Sequence, residues 1–239
     1  MQLLDLTLPT AEENLALDEA LLNDAESADK PVELLRVWEP VDPLVVIGRA
    51  SKLHEEVNVD VCQERGVQYL RRASGGASVV TGPGCLMYAV VLSYERHPEL
   101  AALDVCHQYV MGRLQKSLAR EVPEIGFQGT CDLTLDGRKF SGNSLRCKRT
   151  HLIYHGTLLY DFDLKLIREL LRTPPRMPDY RQRRPHESFV TNVPIAREII
   201  RQRLIEAWEI IGEAVDWPRE LTAQLAAEKY TKSEWTSMR

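Results

Sequence analysis

The chain lacks most of the features that would settle its class at once. Its longest apolar stretch, around Leu86–Leu92, falls far short of the ~20 residues a membrane-spanning helix needs, so no membrane partner is expected. Basic residues are outnumbered, 30 Lys and Arg against 35 Asp and Glu, and the net charge of −5 gives no reason to expect nucleic acid. Neither GxxxxGK[ST] nor GxGxxG after a strand occurs, which excludes the two commonest phosphate-cradling loops. The five cysteines, Cys62, Cys85, Cys106, Cys131 and Cys147, form no CxxC pair and have no flanking histidine pattern. That argues against a disulfide framework and against a zinc site. The opening MQLLDLTLPT has no basic segment ahead of an apolar one, so a secretory leader is not expected and the cytoplasm is the expected location. There is no repeat and no low-complexity tract.

What is present is a globular pattern, 44% hydrophobic and 27% charged, in a length that suits one large domain spanning residues 1–239. Thr10-Ala11-Glu12-Glu13 has capping-box spacing and starts a helix that should run to about Asn23. Strand-like runs follow at Leu34–Trp38, Leu44–Gly48, Val67–Ala73 and Ala77–Val80. Cys85–Tyr94 is almost continuously apolar, as a strand covered on both faces would be. Leu103, Cys106, Val110, Leu114 and Leu118 repeat at helical spacing. Asp136-Gly137 between Asp132–Leu135 and Lys139–Ser141 is a two-residue hairpin signal. Thr150–Phe162 reads as a further strand. Ile200, Leu204, Trp208 and Ile211 read as a long helix with Pro194 in its first turn, and a last helix is expected over Pro218–Glu228. The fold class is α+β: a mixed, largely antiparallel sheet with helices packed on it.

Three short segments carry the chemistry. In RRASGG, the glycines behind a strand let backbone approach a ligand, and exposed N–H groups there can form an anion nest. Only one of Arg71 and Arg72 can face that ligand, because successive strand residues point opposite ways. Alternation also places Lys139 with Ser141 and away from Phe140, beside the small residues Ser141-Gly142; a lysine so placed can neutralise charge developing on phosphate and carboxylate oxygens. His155-Gly156-Thr157 lies in a strand and reads as pocket lining, the glycine marking a close approach. Between Lys165 and Arg184 seven basic residues face two acidic ones, a local balance of +5 that makes either a solvated face or a docking surface.

Taken in order, NLALDEALL (Asn14–Leu22), VIGR (Val46–Arg49), RRASGG (Arg71–Gly76), Asp132-Leu133, Lys139–Gly142, HGTLL (His155–Leu159) and EKYTKSEWT (Glu228–Thr236) resemble the lipoate–protein ligase A family. That family sits within the wider biotin/lipoate ligase and octanoyltransferase superfamily, and the resemblance implies its catalytic-domain fold. By the same resemblance Lys139 would be the catalytic residue. Arg72, Ser74, Gly75 and Gly76 would hold phosphate and acyl-adenylate, with Ser141, Gly142, His155, Gly156 and Thr157 lining the site. Asp132 would help bind nucleotide and magnesium. ATP, magnesium and lipoate are the implied cofactors and substrate. The implied partners are lipoyl carrier domains, of the glycine cleavage H protein or 2-oxoacid dehydrogenase E2, and a separate accessory protein is possible, since the residues after Trp217 are too few for the accessory domain of the larger ligases. The apolar tunnel for the acyl tail would lie along Cys85–Leu92.

The sequence departs from the family at Ala77, where a third glycine is common, at TGPGC (Thr81–Cys85), which replaces H-D-x-G-N, and at Cys131, where ligases often carry Asn. Two alternatives stand beside the ligase: an ATP-independent octanoyl or lipoyl transferase, and a non-catalytic lipoate or carrier-binding protein. A transferase needs an activated thiol. Cys147, between Arg146 and Lys148, has the most suitable charged neighbours. The biotin-ligase loop GRGRxGR has no counterpart.

Overall fold

A computed structural model describes all 239 residues. Ten strands form two sheets. The larger has the order β1 (Gln2–Asp5), β2 (Leu34–Trp38), β6 (Cys85–Ser93), β10 (His151–Leu159), β9 (Arg138–Cys147), β8 (Asp132–Leu135), β7 (Ile125–Gln128). It is antiparallel except for the β1–β2 pair. The smaller sheet sets β3 (Leu44–Ile47) between β4 (Gln68–Arg71), parallel to it, and β5 (Val79–Thr81), antiparallel.

The first helix, α1, spans Ala11–Ser27, four residues beyond the expected end, and its capping box is complete: Thr10 Oγ1 accepts from the Glu13 N–H and the Glu13 carboxylate from the Thr10 N–H. Leu17, Leu21, Leu22 and Ala25 pack onto Leu4, Leu34, Ala89, Val91 and Ile153 of the large sheet. On the opposite face the helix Leu103–Leu118 buries Cys106, Val110, Met111 and Leu114, and His107 Nδ1 meets Tyr154 Oη at 2.8 Å. The helix Arg197–Ala207 packs against it.

Three expectations need correction. Pro194 precedes the helix at 197–207 rather than opening it, and that helix stops at Ala207 because Glu209 takes φ +50, so Ile211 is 87% exposed. The short strands β1 and β7 did not stand out, since four residues carry too little alternation to be read alone. Most consequential is β9. Leu133 pairs with Ser141 and Thr134 with Lys139, so Phe140 has no partner and forms a bulge. The extra residue reverses the alternation. Lys139 therefore shares a face with Gly142, while Ser141 turns to the other side, where its Oγ accepts from Asn143 Nδ2.

The C-terminal segment wraps the far side of α1. Glu19 accepts from Lys229 Nζ (2.7 Å), Tyr230 Oη (2.7 Å) and Arg146 Nη1 (2.7 Å). Arg71, fully buried, donates to the carbonyls of Gly48, Ser51 and Thr236, and Trp235 Nε1 donates back to the Arg71 carbonyl. This answers which arginine of the pair faces away from the ligand. Burial would raise both Glu19 and its neighbour Asp18, but their cationic and hydrogen-bonding partners outweigh it, and both carboxyls lie below their ordinary 4.5 and 3.8. Lowered carboxyls bind fewer protons folded than unfolded, so their contribution is full at neutral pH and disappears as pH falls through the folded values. We expect the urea midpoint to drop steeply below about pH 4. Glu19→Gln should flatten that drop; an unchanged slope would remove the clamp from the explanation.

Candidate active site

The site lies between α1, the small sheet and the face of the large sheet to which Lys139 is turned. Two cavities meet there. The narrower, about 610 Å³, has apolar walls from Leu15, Val46, Val79 and Met87. The wider, about 810 Å³, is walled by Phe140, Ile167, Phe189 and Val190 and carries Arg172, Arg176, Arg181 and His186. Lys139, Gly142 and Thr157 line both, with Ala77, Ser78 and Val79. Lys139 thus stands at the junction.

Its setting explains the glycine three residues on. The Lys139 side chain runs back across β9 so that Nζ reaches Asp132 Oδ1 at 2.7 Å. A Cβ at Gly142 would sit 2.7 Å from that Nζ. The other oxygen of Asp132 accepts from Tyr180 Oη at 2.7 Å. Asp132 offers one carboxylate to the wider cavity, and no cluster of three acidic, His or Cys groups accompanies it. Such a donor set suits magnesium only where substrate phosphates supply most of the ligands.

The RRASGG segment is held in shape largely by its own arginine. Arg72 donates through Nε to Ser74 Oγ (3.0 Å), through Nη1 to the Val46 carbonyl (3.2 Å), and through Nη2 to the carbonyls of Gly75 and Ala77. Burial pulls its guanidinium down to about 10, still charged at neutral pH. Ser144 Oγ and Ser51 Oγ donate to the Gly75 and Gly76 carbonyls at 2.9 and 3.0 Å. Gly48 is what allows this packing, since a Cβ there would lie 1.8 Å from the Gly76 oxygen.

Of the residues singled out from sequence, Arg72, Gly76, Gly142, His155, Gly156 and Thr157 line the narrower cavity, and Asp132, Ser141, Gly142 and Thr157 the wider. Ser74 and Gly75 line neither: Ser74 is 2% exposed, and Gly75 offers its carbonyl to Arg72 and Ser144. The strand Cys85–Ser93 contributes a single side chain, Met87, to the cavities, so the space expected along that strand lies instead between the two sheets.

Sequence reasoning missed Asp18, Tyr180, Arg181 and His186. Asp18 had a local signal, a carboxylate in the apolar middle of an amphipathic helix. Burial, Arg181 and Lys139 push His186 down to about 4, so it is neutral in the cavity. The basic stretch is not one surface: Arg181 is buried against the Phe189 ring, Arg184 donates to Gly137 and Tyr180 carbonyls, and Arg168 pairs with Glu187. Arg172, Arg176 and Arg183 stay exposed.

Cys147, the best thiol by sequence, is at the opposite end of β9 from Lys139, roughly 26 Å away at ~3.3 Å per residue. Cys85 and Cys106 are buried and their thiols pushed up to about 12. Cys131 is half-buried with Sγ 3.0 Å from the Asn143 carbonyl, and burial and Asp132 raise it too.

The mixed sheet thus carries a lysine at the meeting point of an apolar and a cationic cavity. Residues 10–208 match the lipoyl protein ligase A/B catalytic domain, and the chain belongs to that family. The octanoyltransferase LipM of Clostridioides difficile is 23% identical over 95% of this chain and 94% of its own length. A protein of Aeropyrum pernix named "putative lipoate-protein ligase A" is 29% identical over 82% of this chain and 70% of its own. The fold is that of a bipartite lipoate protein ligase from Thermoplasma acidophilum, described with its E2 lipoyl domain, at a TM-score of 0.81 and 22% identity over 99% of this chain and 95% of that one.

Proposed function

We propose that this enzyme is an ATP-dependent lipoate–protein ligase. It activates lipoate, or octanoate, as the acyl-adenylate and passes the acyl group to a lysine of a lipoyl carrier domain. The observation that carries this reading is the pairing of the two cavities: Arg172, Arg176 and Arg181 line the wider one, and Lys139 stands where it meets the narrower, apolar one. Several guanidinium groups on one cavity wall suit the oxygens of a nucleotide phosphate. The narrower cavity suits an aliphatic tail.

In the first step a carboxylate oxygen of the acid attacks the α-phosphorus and pyrophosphate leaves. In the second the carrier lysine, as the free amine, attacks the acyl carbon, AMP leaves and the amine sheds a proton. Negative charge gathers beside Lys139 in both. Magnesium, held by Asp132 and the phosphates, would neutralise the leaving pyrophosphate. The carriers that fit are the glycine cleavage H protein and 2-oxoacid dehydrogenase E2 domains.

The second reading is acyl transfer between carriers without ATP, favoured by the LipM likeness. It requires a thiol at the junction; Cys131 and Cys147 each stand eight residues from Lys139, and Cys131 is the one close to Asp132, Lys139 and Arg72. Purified protein, acid and an apo carrier domain, with and without ATP, separate the two. We expect strict ATP dependence, no acyl-thioester by mass spectrometry, and substantial activity in Cys131→Ser and Cys147→Ser. ATP-independent transfer with an adduct lost in Cys131→Ser would establish the transferase instead.

A further inference from the structure

Four side chains from three parts of the sequence form one hydrogen-bonded line behind the junction. Asp18 Oδ2, on α1, lies 2.9 Å from His155 Nδ1 on β10. His155 Nε2 lies 2.6 Å from Ser74 Oγ, and Ser74 Oγ accepts from Arg72 Nε at 3.0 Å. Arg72 then grips the carbonyls of Val46, Gly75 and Ala77. Proton accounting gives the line a direction. Arg72 can only donate, so the Ser74 hydroxyl, with no other acceptor, donates to His155 Nε2. That leaves the proton of the neutral ring on Nδ1, pointing at Asp18. Asp18 in turn is fixed through Oδ1 by Arg36 at 2.6 Å, itself fully buried and bound to the Asn14 carbonyl and side chain.

We propose that Asp18 is a positioning residue for acyl activation: by holding the Nδ1–H form of His155 it sets the shape of the 72–77 loop against which the acyl-adenylate forms. This rests on the ligase reading for the identity of the step, though not for the geometry. The same order of groups, Asp–His–Ser, would in another setting make a nucleophile. Here Ser74 is 2% exposed, lines neither cavity, and spends an oxygen lone pair on Arg72. It is a strut. Asp18 and His155 reach the narrower cavity, so the line connects the acyl chamber to the loop backbone at Ala77 that both cavities share.

The test combines a spectroscopic and a kinetic readout. In ¹⁵N-histidine-labelled protein, with the His155 signals identified by their loss in His155→Gln, the neutral ring should carry its proton on Nδ1. In Asp18→Asn the tautomer should shift toward Nε2–H. Acyl-adenylate formation should lose about 10²-fold in kcat, the size of effect expected when reacting groups are misplaced by about an ångström, with a much smaller change in KM. Ser74→Ala leaves the Asp18–Arg36 pair in place, so it should fold and show the same kcat loss even if Asp18→Asn does not. The double variant should fall no further than the worse single one.

An Nε2–H ring in the wild type, multiplicative losses in the double variant, or an acyl adduct on Ser74 would each overturn the proposal. So would folded variants with unchanged kcat. If the wild type proves to need no ATP, the ligase reading fails; the same variants are then read on carrier-to-carrier transfer, where the tautomer and the coupled kcat loss are still expected.

Discussion

Lys139→Ala should reduce carrier modification by at least ~10²–10³-fold while leaving the protein folded. The magnitude follows from its place at the junction of the two cavities and from the absence of another cation lining both; Arg72 lines only the narrower, and its donors are engaged with Ser74 and backbone carbonyls. Folding should survive because the side chain is about a quarter exposed, and its ion pair with Asp132 is screened on one side. Asp132 keeps Tyr180 as a donor after the change. The loss should appear in both half-reactions: pyrophosphate release with acid and ATP, and acyl transfer from synthetic acyl-adenylate. A folded Lys139→Ala protein with near-normal rates in either would take the lysine out of that step.

Arg71→Met should have the largest effect on stability, roughly 3–5 kcal/mol, because several buried carbonyls lose their donor at once. These include Gly48, Ser51 and Thr236, each bonded at 2.9 Å or less. For a chain of this size that corresponds to a fall in Tm of about 10–15 °C. The damage should also be directional. Amide exchange should rise first over residues 226–239, which Arg71 ties to β4, and in the turn after Gly48, before the large sheet is affected. Lysine should rescue only in part, since three donors on a point replace a planar fork of five. Uniform exchange across the chain would mean that the C-terminal segment is not held through this residue.

The parts legible in the sequence are those whose cause is local. The capping box at Thr10 and the Asp136-Gly137 turn, where both residues take positive φ of 51° and 68°, are decided within four residues. Lys139 and the glycines were legible because their order along the chain matches a family. The strands β1 and β7 were not, since each is a strand only by virtue of its neighbour in the sheet. The partnerships of the site were hidden for the same reason: Asp18 with His155 and Asp132 with Tyr180 link residues 137 and 48 positions apart. Strict alternation misplaced Ser141 because it assumes a ladder without insertions, and one unpaired residue was enough to break that assumption.

That unpaired residue makes the pairing pattern itself a functional property. If the ladder instead ran straight through Phe140 with no residue left out, regular alternation over the three steps from Lys139 to Gly142 would set the two on opposite faces. The lysine would then be turned to the helical side of the sheet, with Tyr88 and Tyr154, while keeping every residue of the motif. A search for active relatives by residue identity alone would accept such a chain. What distinguishes a working enzyme here is the residue left unpaired between the turn and Gly142, and a ladder that closed up around it would be as damaging as the loss of the lysine.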